Sequence, residues 1–329
     1  MCASRAPVAL ARVMGALAVA LTLTLGASSA RAQACCTATG SSGFGVVGRC
    51  YFAALASELS YERGFGAFDA KGRFAPLSRA EADDVVLALA GGVRLGTPML
   101  QLYGSVPVRF QYRDLHGLPA ASAVGFGDSS ATLRAMTLED RMTGIDLSRP
   151  ATLIPFVEPF IGVRVPTGRP ATRSSEPTGV DAMGEGGWAV SAGVALTKYV
   201  TLSTAASVTA SYGRRLPYSV ERGTRSSKFQ PGDELDVRLG VVHVFDLLWS
   251  ASGFVSGRFT AESSLGGAGI RDSQTRRIRL GAGVERYLVF PTWQLGLSAS
   301  LDPPLAGFGQ NLPFAGTTLS LSMQRNFTW

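Results

Sequence analysis

Apolar and polar residues alternate along much of the chain. In one stretch, Leu235, Val237 and Leu239 alternate with Asp236 and Arg238. Because successive side chains of a β-strand point to opposite faces, this period of two indicates strands with one apolar and one polar face. Twelve such segments can be marked, each with about the ten residues that cross a membrane as a tilted strand. They lie at 52–62, 84–95, 99–112, 128–138, 152–165, 187–198, 200–212, 234–246, 248–261, 275–286, 292–301 and 316–329.

The connections between these segments alternate between short turns and long polar loops. Outer-membrane barrels show this alternation, with short turns on the periplasmic side and long loops outside. One connection, 139–151, is too long for a periplasmic turn, and it either holds a short helix or marks a mispaired strand. The long stretches are 63–83, 113–127, 166–186, 213–233, 262–274 and 302–315.

The pattern predicts an all-β fold, a transmembrane antiparallel β-barrel of about twelve strands. A soluble β-sandwich would also alternate, but its polar faces meet water and are richer in Lys and Glu. Here the polar positions favour Gly, Ser, Thr and Arg. Aromatic residues at strand ends also favour a barrel, because they are expected at the membrane interface. These aromatic residues are Trp188, Tyr199, Trp249, Tyr287 and Trp293.

The first 32 residues have the features of a cleaved signal peptide. Arg5 and Arg12 give a basic start, and an apolar run follows from Val13 to Leu25. Ala30 and Ala32 are the small residues that a signal peptidase reads, so we expect cleavage after Ala32. The mature chain then starts at residue 33, with a periplasmic segment over 33–51 and the barrel over 52–329.

The mature chain is only mildly basic. Loss of three arginines with the signal peptide lowers the net charge from +7 to +4. No Lys- or Arg-rich run with interleaved aromatic residues is present, so nucleic acid is not expected as a partner.

The segment 33–51 contains the three cysteines of the mature chain. In an oxidising compartment Cys50 can pair with Cys35 or Cys36, which leaves one thiol over. Lipidation of Cys35 is an alternative, although Ala32 and Gln33 are poor residues for a lipobox. A metal site is not expected, because no histidine lies near.

The last strand ends in an aromatic residue. Phe327 and Trp329 close an alternating apolar segment. This resembles the C-terminal signal of outer-membrane proteins, which implies recognition by the barrel-assembly machinery and a location in the bacterial outer membrane. Gln324 stands where that signal usually has a Gly.

The polar faces of the predicted strands would line the lumen, with outer-membrane lipid around the apolar faces. Charges of both signs facing one another across a narrow lumen would either pair and plug it or form a selective constriction with an excess of arginine. These candidates are Arg94, Arg109, Arg134, Arg164, Arg238, Arg277, Arg279, Glu58, Glu62, Glu158, Asp236 and Glu285.

Residues 125–214 carry short motifs in a fixed order. Gly125-Phe126-Gly127-Asp128 precedes a strand, Pro166-Thr167-Gly168 ends the next, Gly184-Glu185-Gly186-Gly187-Trp188 opens another, and Ser211-Tyr212-Gly213-Arg214 closes its partner. This order resembles the putative transporter family named for the meta-pathway of phenol degradation. The resemblance implies an outer-membrane barrel that passes small, often aromatic, hydrophobic compounds. By their Gly and Pro content, the motifs themselves are predicted to build corners and not a binding site.

Catalytic chemistry has little support in the sequence. Neither His116 nor His243 has a serine two residues on, where a partner on the same face would stand. Ser129 follows Gly127-Asp128 as in one lipase family, but the late Asp-x-x-His of that family is missing. We therefore expect no enzyme and no cofactor, and predict a passive channel or transporter for small compounds. A structural or adhesive barrel with a plugged lumen is the main alternative, and an enzyme with Asp114 and His116 at the rim is a weaker one.

Overall fold

The computed structural model describes residues 46–48, 51–78, 80–96, 100–140, 144–222, 225–304 and 310–328. The predicted signal peptide, Cys35, Cys36, Cys50 and Trp329 lie outside these residues. No helix in these ranges is long and apolar enough to cross a membrane.

Twelve antiparallel strands form one closed sheet, which confirms the predicted barrel and excludes a sandwich. Each strand pairs with its neighbours in the chain, and the last strand pairs with the first. The strands are β1 (Ala53–Phe68), β2 (Glu81–Arg94), β3 (Leu100–Asp114), β4 (Ser129–Ala135), β5 (Phe156–Val165), β6 (Ala189–Tyr199), β7 (Thr204–Arg215), β8 (Glu234–Val244), β9 (Trp249–Thr260), β10 (Thr275–Val289), β11 (Trp293–Leu301) and β12 (Leu312–Phe327).

Several predicted boundaries were wrong by a few residues. Thr152 and Leu153 lie in a 3-10 turn at Pro150–Leu153, and residues 200–203 form the turn before β7. The long connection 136–155 therefore holds this short helical turn, and no strand is mispaired. The predicted strands ran into the turns because the alternation of apolar and polar residues continues past the point where the chain reverses.

The long loops carry short strands of their own. Ala121–Phe126 pairs with β3, and Phe74–Pro76 pairs with β1. A separate small sheet consists of Tyr218–Arg222, Arg225–Gln230, Ser264–Leu265 and Ala268–Gly269.

The outer surface of the barrel is apolar. Leu55, Leu89, Ile161, Leu239 and Leu319 are each about half exposed, and all lie at outward strand positions. A continuous apolar surface of this extent is not stable in water, so it requires a lipid environment.

Aromatic residues mark the rim at the end of the barrel where β1 begins and β12 ends. Trp249 and Trp293 are in cation–π contact with Arg286 and Arg325, at 4.9 and 5.5 Å. Tyr199 and Tyr287 were expected at the same interface, and that expectation was wrong. Both face inward and are almost fully buried, because their register pairs them with the inward Ala205 and Gln294.

Candidate channel lumen

Strand register decides which side chains face the lumen. Glu58 of β1 stands opposite Ser322 of β12 and Ala88 of β2, and the same in-register pairing continues around the sheet. All twelve strands therefore share one set of inward positions and one set of outward positions. The twelve charged residues taken from the sequence all stand at inward positions of this register: Glu58, Glu62, Arg94, Arg109, Arg134, Glu158, Arg164, Asp236, Arg238, Arg277, Arg279 and Glu285.

One group of ion pairs joins β1 to β10 and to the loop after β11. Arg277 contacts Glu62 at 2.5 Å and Asp302 at 2.7 Å. Arg279 contacts the same two carboxylates at 3.1 and 3.3 Å. Asp302 is fully buried and also accepts a hydrogen bond from the backbone N–H of Gly316, at 2.9 Å. The two arginines are thus neutralised within this group.

A second group surrounds Glu234 at the start of β8. Arg164 and Arg258 each reach its carboxylate at 3.4 Å, and Arg215 also binds it. Arg258 pairs with Asp236 at 2.8 Å. The sequence analysis missed Arg215, Glu234 and Arg258. Each of them is an even number of residues away from a polar inward position on its own strand, so the period-two pattern could have found them.

Two further pairs join neighbouring strands, one between β2 and β3 and one between β4 and β5. Arg109 binds Asp84 and donates to the carbonyl of Met183 at 3.4 Å. Arg134 and Glu158 approach to 3.6 Å and are both buried, and the guanidinium of Arg134 lies 5.5 Å from the ring of Phe160.

Arg238 differs from the other inward arginines. Within the described ranges it has no ion pair and no hydrogen bond, and its Nε atom is buried without a partner. Its guanidinium lies 4.0 Å from the centre of the Phe254 ring. Glu58 likewise has no ion pair or hydrogen bond among these residues, and Arg238 is the opposite charge that acts on it. Glu285, by contrast, accepts a hydrogen bond from Gln294 at 2.6 Å.

Both unpaired charges line a cavity of about 500 Å³. The cavity extends along the inner faces of β8 to β12 and β1. Most of its wall consists of small polar residues, with Phe254 as the aromatic side chain that faces it. Seven serines contribute hydroxyl groups, namely Ser60, Ser252, Ser256, Ser298, Ser300, Ser320 and Ser322.

Residues 46–48 and 51–52, which precede β1, fill the end of the lumen where β1 begins and β12 ends. Val47 and Tyr51 are buried. Arg94 donates to the carbonyls of Tyr51 at 2.8 Å and Gly48 at 3.1 Å. The hydroxyls of Tyr51 and Tyr287 lie 3.3 Å apart. We call residues 46–48 and 51–52 the N-terminal plug; all of them except residue 52 belong to the region expected to form a periplasmic segment.

The motifs that carry the family resemblance meet at the opposite end. Asp128 accepts hydrogen bonds from the backbone N–H of Gly168 at 3.0 Å and of Glu185 at 2.7 Å. Thr167 donates to the carbonyl of Gly127 at 2.6 Å. A Cβ on Gly184 would lie 2.3 Å from Asp128 Oδ1, so only glycine fits there. These contacts, which we call the Asp128 latch, fix the loop 166–188, and they agree with the corner-building role predicted for the motifs.

Within this loop, Asp181 ties the backbone together. Burial alone would raise the pKa of this carboxyl, but hydrogen bonds from Ser174, Ser175 and Arg169 outweigh burial and lower the pKa. Val180 and Met183 are buried beside it. The loop is therefore a packed element of the barrel mouth.

The residues considered for catalysis do not come together. His243 lies on the outward face and shares a hydrogen bond with Thr204 at 2.8 Å. No hydrogen bond or ion pair joins Asp114 to His116 in the described structure. The same residues hold no group of three or more His, Cys, Asp or Glu that could bind a metal ion.

The barrel geometry has a counterpart among solved structures. A COG4313 outer membrane channel from Pseudomonas putida F1 superposes with a TM-score of 0.65 at 14% identity, covering 84% of this chain and 96% of that one. This chain has the fold of an outer-membrane β-barrel.

More distant barrels also match. The NanC porin gives a TM-score of 0.44 at 8% identity, over 84% of this chain and 100% of the porin. The translocator domain of the autotransporter NalP from Neisseria meningitidis gives 0.43 at 8% identity, over 98% of both chains. No protein-family model and no curated protein sequence matches the chain.

Proposed function

We propose that this chain is a passive outer-membrane channel for small molecules. The observation that carries the proposal is a closed barrel with an apolar outer face and a charged, hydroxyl-rich inner face around a cavity of about 500 Å³. A wall of this kind interacts with a permeant and leaves the outside compatible with lipid. The neighbour from Pseudomonas putida is named a channel, which supports the same function here.

The inward charges would act as the constriction of this channel. Most of them are held in ion pairs, so their side chains are fixed in place and narrow the path. The paired charges then set the width of the path, and unpaired ones set its selectivity. No nucleotide-binding motif is present in the sequence to drive uptake, so movement would follow the concentration gradient.

Three further assignments belong to the same proposal. We infer that the chain is exported by its signal peptide and inserted by the barrel-assembly machinery, which would read the strand that ends in Phe327 and Trp329. We infer a disulfide between Cys50 and Cys36 or Cys35 in the mature N-terminal segment. Membership of the meta-pathway transporter family is supported by the motif order and by the latch that those motifs build.

A structural barrel with a closed lumen is the second candidate, and the N-terminal plug favours it. Val47 and Tyr51 fill the mouth at the end where β1 begins, and Phe156, Tyr199, Ala205 and Val242 form a separate apolar cluster at the same end. If the plug is permanent, no permeant can leave the cavity at this end.

Single-channel conductance decides between the two. The refolded mature protein, residues 33–329, would be measured in a planar bilayer beside Tyr51→Ala, which removes the buried ring of the plug. Tyr61→Ala is the matched control, because Tyr61 lies on the outer face of β1. A channel is expected to show discrete currents that increase in Tyr51→Ala and are unchanged in Tyr61→Ala. Silence in all three proteins, with heat-modifiable gel mobility proving a folded barrel, would establish the structural barrel instead.

A further inference from the structure

The two unpaired charges of the cavity stand on nearly opposite walls. Arg238 lies on β8 and Glu58 on β1, which are five strand-to-strand steps apart in a ring of twelve. Both residues line the same cavity. The other inward arginines of the described structure are held by carboxylates or by backbone carbonyls, so this pair is the one left open to a ligand.

We propose that Glu58 and Arg238 select small zwitterionic permeants, such as ω-amino acids. This inference rests on the proposed channel function and specifies the permeant. A carboxylate would bind the guanidinium of Arg238, and an ammonium at the other end would bind Glu58. A simple anion gains the first contact but is repelled by Glu58. A simple cation gains the contact with Glu58 but is repelled by Arg238.

The remaining wall of the cavity suits the same class of molecule. The seven serine hydroxyls form no side-chain hydrogen bond with any described residue, so they are free to bond a polar permeant or its water. A hydrocarbon would bury these hydroxyls without partners, which is unfavourable. The cavity chemistry therefore differs from the hydrophobic permeants that the family resemblance implies.

The test compares three ligands that share a four-carbon chain: γ-aminobutyrate, butyrate and butylamine. Binding to the refolded protein in detergent would be measured by isothermal titration calorimetry, which does not depend on conduction. γ-Aminobutyrate is expected to bind about tenfold tighter than either singly charged ligand, the factor that one charge-assisted hydrogen bond supplies. Equal binding of all three ligands would overturn the proposal.

Variants assign the effect to the two residues. Arg238→Gln and Glu58→Gln should each weaken γ-aminobutyrate binding about tenfold, while Arg238→Lys should keep most of it because the charge remains. Arg286→Gln is the control, since it removes the same charge from the outer face of β10. Unchanged affinity in Arg238→Gln, with heat-modifiable mobility showing a folded barrel, would refute the assignment.

The two proposals can fail separately. Zwitterion binding without any single-channel current would support the Glu58–Arg238 site and refute the channel. Channel current with no preference among the three ligands would keep the channel and refute the site.

Discussion

At the residue scale, the carboxylate of Asp128 joins two distant parts of one loop at the outer end of the barrel. It is bound by the backbone N–H groups of Gly168 and Glu185, which are 17 positions apart in the chain. One side chain thus fixes both ends of the loop 166–188. The close approach of Gly184 to Asp128 and to the Cα of Gly168 leaves no room for any other residue there.

We expect Asp128→Ala to release this loop without unfolding the barrel. The two backbone donors lose a charged acceptor, which costs about 2–3 kcal/mol locally. Limited trypsin digestion should then cut after Arg173 at least tenfold faster than in the parent protein. Asp146→Ala is the control, because Asp146 accepts comparable hydrogen bonds from Ser148 in the exposed connection between β4 and β5. Equal cleavage of Asp128→Ala and the parent protein would contradict the latch.

At the element scale, each strand presents one face to lipid and one to the lumen. In β12, Leu319 and Leu321 face outward and are about half exposed, whereas Ser320 and Ser322 line the cavity. The alternation in the sequence predicted this division, because side-chain direction in a strand is a local property. It did not predict where strands end, because the alternation continues through Val200 and Leu202, whereas the chain turns there and the N–H groups of Val200 and Thr201 bond the carbonyl of Thr204.

Arginine at adjacent positions of β12 should therefore have unequal effects. Leu321→Arg places a charge on the lipid face and should destabilise the barrel by about 2–4 kcal/mol. Ser320→Arg places the same charge in the polar lumen and should cost much less. Urea titrations of folding into lipid vesicles would measure both free energies of unfolding. Equal losses in the two variants would contradict the assignment of faces.

At the scale of the whole molecule, ion pairs across the lumen join strands that are far apart in sequence. Arg277 and Glu62 are separated by 215 positions, and Thr318 reaches Glu62 across 256. These contacts tie β1, β10 and β12 together beside the seam where the barrel closes. The fully buried carboxylate of Asp302 neutralises the charges of Arg277 and Arg279.

Removing this central carboxylate should weaken the closed barrel. Asp302→Ala leaves Arg277 and Arg279 to share Glu62, and we expect a loss of about 3 kcal/mol because a partner of a buried ion pair has been removed. The heat-modifiable transition on gels should move to lower temperature. Asp69→Ala is the comparison, since Asp69 pairs with Arg73 at the exposed surface and its loss should leave the transition almost unshifted. An unshifted transition in Asp302→Ala would show that the group does not hold the seam.

The sequence by itself determined the barrel, a strand count of about twelve and the inward face on which twelve of the charged residues lie. These follow from a period-two pattern and from connection lengths, which are local. The tertiary structure decided which charges pair. The sequence could not show that Arg238 and Glu58 are unpaired while Arg277 and Glu62 are paired, because pairing depends on strands that meet only when the sheet closes. The tertiary structure also placed Val47 and Tyr51 inside the mouth, because a segment outside the strands can enter the lumen only after the twelve strands have enclosed it.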